Sequence, residues 1–203
     1  MMHEGLWRQL EKLEGAQTAR RAKCQYQAGE STGRYVIDLL NRPYVVDVAK
    51  KQIFPEKGPE NEPAGFIEQL CILAYLIQAK DRPLRQKLVK AETLAGGEFF
   101  FRGIHEMPTD KLAQALGEEP KKIYKVMEKF NGSRCEYGDA SMELFILPRI
   151  PVTLVIWAGD QEFEPRASIL FDQSAGDHLA LDALGAAADL TVSSVIEAVN
   201  KNT

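Results

Sequence analysis

The chain is poor in cysteine, and its three cysteines are not paired by spacing. Cys24, Cys71 and Cys135 lie far apart with no CxxC, so local spacing supplies neither a structural zinc site nor an iron–sulfur cluster. An odd number of thiols in a reducing compartment implies free cysteines, with Cys71, inside an apolar run, reading as a small core residue. Long hydrophobic runs are also missing. The longest, Phe66 to Ile77, is interrupted by Glu68 and Gln69 and is too short to span a bilayer. The N-terminus, MMHEGLWRQLEKLEG, has no apolar stretch of signal-peptide length and mixes acids with bases. The expectation is a cytoplasmic protein with no membrane partner. No glycine-rich phosphate loop of the G-x-x-x-x-G-K-[ST] or G-x-G-x-x-G type is present. A net charge of -4 gives no reason to expect a polyanion as the main partner.

What is present is the balance of an ordinary globular protein: 203 residues, 45% apolar and 27% charged, enough for one generous domain. Leu6, Leu10 and Leu13, extended by Ala16, Ala19 and Ala22, predict a helix over 4–28 closed by Gly29 and Gly33. "RYVIDLLNRPYVVDVAKKQIF" reads as two β-rich runs around Asn41-Arg42-Pro43, a hairpin with one wet face marked by Asp38 and Asp47. After the Pro-, Gly- and acid-rich "FPEKGPENEP", Pro63 starts a helix. Its Phe66, Ile67, Leu70, Cys71, Ala74 and Ile77 make a wide apolar face, the best candidate for a central buried helix. Thr109 reads as the cap of a short helix to Leu116 that stops at Gly117. Pro120 starts another, with Ile123, Val126, Met127 and Phe130 on one face. MELFIL, VTLVIW and ASILF then read as strands, and Asp177 as the cap of a closing helix through Leu181, Leu190 and Val199. These elements predict a single α+β domain, helices packed on a mostly antiparallel sheet, with a helix-rich half over 1–131 and a strand-rich half over 132–203.

Several constellations carry chemistry. In "VTLVIWAGDQEFEPRASILFD", Asp160, Glu162 and Asp172 would suit a hard divalent cation or an acid/base site, and equally a solvated turn neutralised by Arg166. In "AGGEFFFRGIHE", His105 stands beside Phe99, Phe100 and Phe101, with glycines that allow close approach. That set suits a flat aromatic cofactor with an imidazole axial ligand, and also a core strand followed by a hydrogen-bonded histidine. His178, in "SAGDHLALDALG", could bind a metal with Asp177 or Asp172 behind it, or sit as an ordinary first-turn histidine. "DQSAG" resembles a nucleophile elbow at Ser174, but Asp172 replaces the first glycine and His178 is too close in sequence. "TDKLAQALGEEPKKIYKVMEKFNG" reads either as a helix-turn-helix charged by Lys121, Lys122, Lys125 and Lys129, or as a helical hairpin packed on the sheet.

Pro148 to Pro151, Trp157 to Phe163 and Ile169 to Asp172 form a pattern P-x-I-P, W-x-G-D-x-E-F and I-L-F-D. With it the chain resembles the domain of unknown function 3786 family, most clearly over residues 132–190. That family is typical of anaerobic bacteria and archaea, and some members are fused to an iron–sulfur domain of the kind found in corrinoid proteins. The resemblance implies an accessory role near tetrapyrrole or metal-cofactor metabolism, with iron–sulfur or corrinoid proteins as partners. It brings no catalytic residues. The expectation is therefore a binding protein for a small ligand, with haem or a corrinoid as cofactor. His105 or His178 would be the axial ligand and Phe99, Phe100, Phe101 and Trp157 the walls, while Arg102 or Arg166 would pair with ligand carboxylates. The rival expectations are a metal-dependent or acid/base enzyme built on Asp160, Glu162 and Asp172, and a nucleic-acid module on the Lys121–Lys129 helix.

Overall fold

In the computed structural model, which describes residues 2–29, 33–57 and 62–201, a two-residue turn sets the first sheet. Leu40 and Asn41 both take left-handed φ values, 52° and 61°, the geometry that matches the twist of a tight hairpin. Strand β1 (Gln25–Gln27), β2 (Arg34–Leu39), β3 (Arg42–Asp47) and β4 (Gln52–Pro55) pair in that order, all antiparallel. Along β2, Tyr35, Ile37 and Leu39 are buried while Arg34 and Asp38 are exposed, the period-2 signature of a sheet with one wet face.

The second sheet has β5 (Leu88–Lys90), β6 (Ser133–Arg134), β7 (Ala140–Leu147), β8 (Ile150–Trp157) and β9 (Arg166–Asp172), in the order β5-β9-β8-β7-β6. Each neighbouring pair is antiparallel. β8 is central and buried from Ile150 to Ile156, which is why it is apolar but for Thr153 instead of alternating. The architecture is α+β, as the sequence predicts.

The N-terminal helix predicted over 4–28 is two helices, α1 (Glu4–Leu10) and α2 (Gly15–Ala22). The break has a chemical cause: the Glu14 carboxylate accepts from the Ala16 and Gln17 N–H groups and caps a new helix. α2 ends at Lys23, in left-handed φ, and the chain passes into β1 before it reaches Gly29 or Gly33. The helix predicted from Pro63 starts at Phe66: α3 (Phe66–Gln78) has its own cap, the Glu68 side chain accepting from the Gly65 N–H at 2.6 Å. Phe66 and Ile67 are exposed, so the buried face begins one turn late and consists of Cys71, Ile72, Leu73, Tyr75 and Leu76. Each large one contributes about 1.5–3 kcal/mol. α3 is the central helix, packed against α1, α2 and α8 (Leu181–Lys201).

The remaining helices are short: α4 (Gly97–Phe100), α5 (Thr109–Leu116), α6 (Met127–Phe130) and α7 (Ala175–His178). Pro120–Val126 is a 3-10 segment. The closing helix is broken between α7 and α8, where Leu179 is extended, and Asp177, inside α7, turns its carboxylate to cations instead of capping. Buried side chains from Trp7 to Val199 belong to one hydrophobic cluster, and the two sheets meet where the Leu40 N–H donates to the Ile146 carbonyl at 2.9 Å. The helix-rich half thus carries the whole four-stranded sheet. Residues 58–61 of the predicted acidic loop lie outside the described residues. No described helix is long and apolar enough to cross a membrane.

Candidate functional site

The β8–β9 connection is built around one aspartate. Asp160 Oδ1 accepts from the N–H groups of Glu162 and Phe163, both at 2.8 Å, and its own N–H donates to the Phe163 carbonyl. Those two bonds, Glu162 first, hold its carboxyl below the usual range. Pro165 fills the turn: a Cβ on Gly159 would stand 2.7 Å from Pro165 Cδ, and one on Gly117 would stand 2.1 Å from Pro165 Cβ. Phe163 is 68% exposed. Trp157 and Arg166 pair with each other, the guanidinium 5.1 Å from the ring centroid.

Asp172 lies at the opposite end of β9, about 20 Å of strand away. The expected carboxylate triad of Asp160, Glu162 and Asp172 is therefore not assembled. Among the described residues, no group of three or more His, Cys, Asp or Glu is placed to hold a metal ion.

Asp172 is buried and accepts from the Ser174 hydroxyl, from the Ser174 N–H and from the Arg85 N–H. Burial alone would raise its pKa; the hydrogen bonds, led by the Ser174 hydroxyl, leave it lowered. Ser174 is thus spent on a carboxylate and is itself buried, which removes the nucleophile reading. His178 has no exposed surface. Its Nδ1 accepts from the Lys80 N–H at 3.3 Å, and its Nε2 is buried without a hydrogen-bond partner among the described residues. Neither Asp177 nor Asp172 backs it. Asp177 faces Lys80, Arg82 and Arg85 at 3.2, 3.6 and 3.3 Å. Burial, then the charge of Arg149, brings the His178 pKa down to about 4.

Segment 97–106 gathers the aromatic residues, but unevenly. Phe101 is buried and its ring meets Phe100 edge-on at 5.1 Å. Phe99 is 80% exposed, with the Arg102 guanidinium 5.7 Å from its centroid, and Arg102 pairs with Glu98 at 3.4 Å. His105 stacks on Phe100, centroids 4.7 Å apart and planes 23° from parallel. Its ring nitrogens make no hydrogen bond among the described residues. A face-stacked imidazole keeps both nitrogens at its open edge. The pair lines a groove of about 350 Å³ with Ile104, Pro108 and the small residues Gly185 and Ala186 of α8. Glu106, Asp182 and Asp189 stand on its rim, Asp189 meeting Lys111 at 3.2 Å.

The sequence-predicted cofactor set is thereby divided. Phe99 to Arg102 and His105 share one segment. Trp157 and Arg166 sit by Pro165, which packs on the C-terminal end of α5, whereas the groove lies at its N-terminal end, about 12 Å along the helix. His178 is in the core. The helix-turn-helix reading fails on its second helix: Pro120–Val126 is 3-10, and Lys122 turns back on Glu119 at 2.6 Å.

Sequence reasoning missed Arg149, the x of P-x-I-P. It is 5% exposed and donates to the carbonyls of Arg21 and Arg82 at 2.6 and 2.7 Å and to Asp81 at 2.6 Å. An arginine between two prolines amid apolar strands was the available signal. It also missed the small face of α8 at Gly185 and Ala186.

The sequence model of one protein family, described as domain of unknown function (DUF3786), matches residues 15–194. Neither the curated proteins nor the solved structures compared with this chain gave a match.

Proposed function

From the premise that the chain belongs to the domain of unknown function 3786 family, we propose that it binds a small cofactor, a tetrapyrrole, in the groove beside His105. The observation that carries the reading is the Phe100–His105 stack: an oriented imidazole whose nitrogens have no partner among the described residues, in the lining of a groove of about 350 Å³ whose helix wall is Gly185 and Ala186 between Asp182 and Asp189. A groove of this size lies at the low end of small-molecule sites and would seat one edge of a flat macrocycle, the remainder standing in solvent. The donor set fits one axial nitrogen ligand. It does not fit a protein-caged metal ion, which would need further ligands beside His105.

The rim selects among tetrapyrroles. Glu106, Asp182 and Asp189 would oppose the propionates of haem, whereas the amide edges of a corrinoid can donate to carboxylates. The favoured cofactor is therefore a corrinoid, held by His105 and walled by Phe100; Phe99, 80% exposed, stands outside the groove. His178 takes no part, since reaching its Nε2 requires opening the core.

Absorption titrations with aquacobinamide and with haem test this. The wild-type protein is expected to shift the corrinoid bands at one-to-one stoichiometry, His105→Ala to lose the shift, and a core-conserving His178→Gln to retain it. Equal titrations by wild type and His105→Ala would reject the site, and preference for haem would reject the account of the rim.

A further inference from the structure

Further along α8, a second pocket of about 460 Å³ opens between the β2–β3 turn, α6 and the last turns of the helix. Its construction is rigid. The turn is latched at both sides, by the Leu40 N–H to Ile146 and by the Asn41 amide, which donates to the Lys129 carbonyl at 3.0 Å. Leu39, Leu40, Phe130 and Leu190 provide apolar wall.

The charged groups are matched unequally. Glu68 accepts from the Tyr44 hydroxyl and from the Gly65 N–H, and Glu197 pairs with Lys201. Arg42 and Lys129 stand in the lining from different elements, and neither forms an ion pair among the described residues. Each lies over an aromatic ring, Arg42 at 5.4 Å from Tyr44 and Lys129 at 5.5 Å from Phe130. Lys129 is near enough to Glu197 to add to Lys201 in lowering its pKa, without forming an ion pair with it. Ser194, half-buried in the same lining, has a hydroxyl with no partner among the described residues.

We propose that this pocket binds a small monocarboxylate with an apolar body, its head between Arg42 and Lys129 and its body against Leu39, Phe130 and Leu190. Glu197 is neutralised by Lys201, and Glu68, hydrogen-bonded only to neutral donors, offsets one of the two cations, so one net positive charge remains and the complementary head is a monoanion. The walls require the rest of the ligand to be apolar, and the volume admits a chain or ring of modest size. Burial and the hydrogen bond to Glu68 push the Tyr44 hydroxyl up against the opposing pull of Arg42, so it stays protonated and adds no negative charge to the lining. The site stands independently of the His105 groove.

The probes are octanoate, octanol and octylamine, which share one body and differ in head, added below micellar concentration to the full chain with uniform nitrogen-15 labelling. Octanoate is expected to shift the amide signals of residues 39–42, 129–130 and 190–197 saturably, with octanol and octylamine binding at least about tenfold more weakly. Arg42→Gln and Lys129→Gln, both at exposed positions, are each expected to weaken octanoate by about tenfold while leaving octanol unchanged. No saturable shift at these amides overturns the proposal. So does octanol or octylamine binding as tightly as octanoate, or variants that bind octanoate like wild type.

Discussion

The Arg149 guanidinium donates to the Arg21 carbonyl at 2.6 Å, joining the β7–β8 turn to the end of α2 across 128 residues of sequence. The same group reaches Arg82 and Asp81 and so ties down the segment that covers His178. Removing it would leave two carbonyl groups without their donor in a partly buried site. Arg149→Ala is expected to cost about 3 kcal/mol in chemical denaturation, and Arg149→Lys to recover only part, since an ammonium cannot span three acceptors held by a planar fork. A loss within the scatter of surface substitutions would show that the clamp is not structural.

His178 makes stability depend on pH with a fixed sign. Its folded pKa, brought to about 4 by burial and by Arg149 and Lys80 against the weaker pull of Asp177 and Asp172, lies below the ordinary 6.5. Between those values the unfolded chain binds a proton that the folded chain does not, so stability is fully present above pH 6.5 and falls as pH drops towards 4. The displacement corresponds to at most about 3 kcal/mol. His178→Gln is expected to flatten the stability profile between pH 7 and 4.5. An equally steep profile in the variant would place the proton uptake elsewhere.

The acidic hairpin separates a turn from a metal site. Asp160→Ala removes the acceptor for two backbone N–H groups and is expected to lower Tm, whereas Glu162→Gln leaves it unchanged. Gly117→Ala drives a Cβ into Pro165 and the Ala113 carbonyl and is expected to lower Tm more than either. Saturable Mg²⁺ or Mn²⁺ binding that disappears in Glu162→Gln would contradict the turn and restore the metal reading.

The longer strands were legible because their burial is written in period and composition, whereas the two- and three-residue β1, β5 and β6 were not. β2 alternates, β8 is apolar but for Thr153, and Asn41 supplies the left-handed turn between β2 and β3. The helix ends were less so, because they depend on which side chain captures a free N–H. Glu14 divides one periodic stripe into α1 and α2, and Glu68 with Gly65 delays α3 past Pro63. The sites were harder still. His105 and the three phenylalanines share a segment, but sequence could not tell the exposed Phe99 from the buried Phe101. Asp160 and Asp172 are near in sequence, yet a full strand holds them apart. Arg42, Lys129 and Ser194 are far apart in sequence and meet only through the packing of the hairpin, α6 and α8.

The central claim is that the His105 imidazole ligates a tetrapyrrole metal. Electron paramagnetic resonance of the protein with a cobalt(II) corrinoid tests it most directly, because an axial nitrogen splits each cobalt line. The account requires a triplet splitting with natural-abundance protein that becomes a doublet when histidine is nitrogen-15 labelled and is lost in His105→Ala. A spectrum without nitrogen splitting, or one unchanged in His105→Ala, would contradict it.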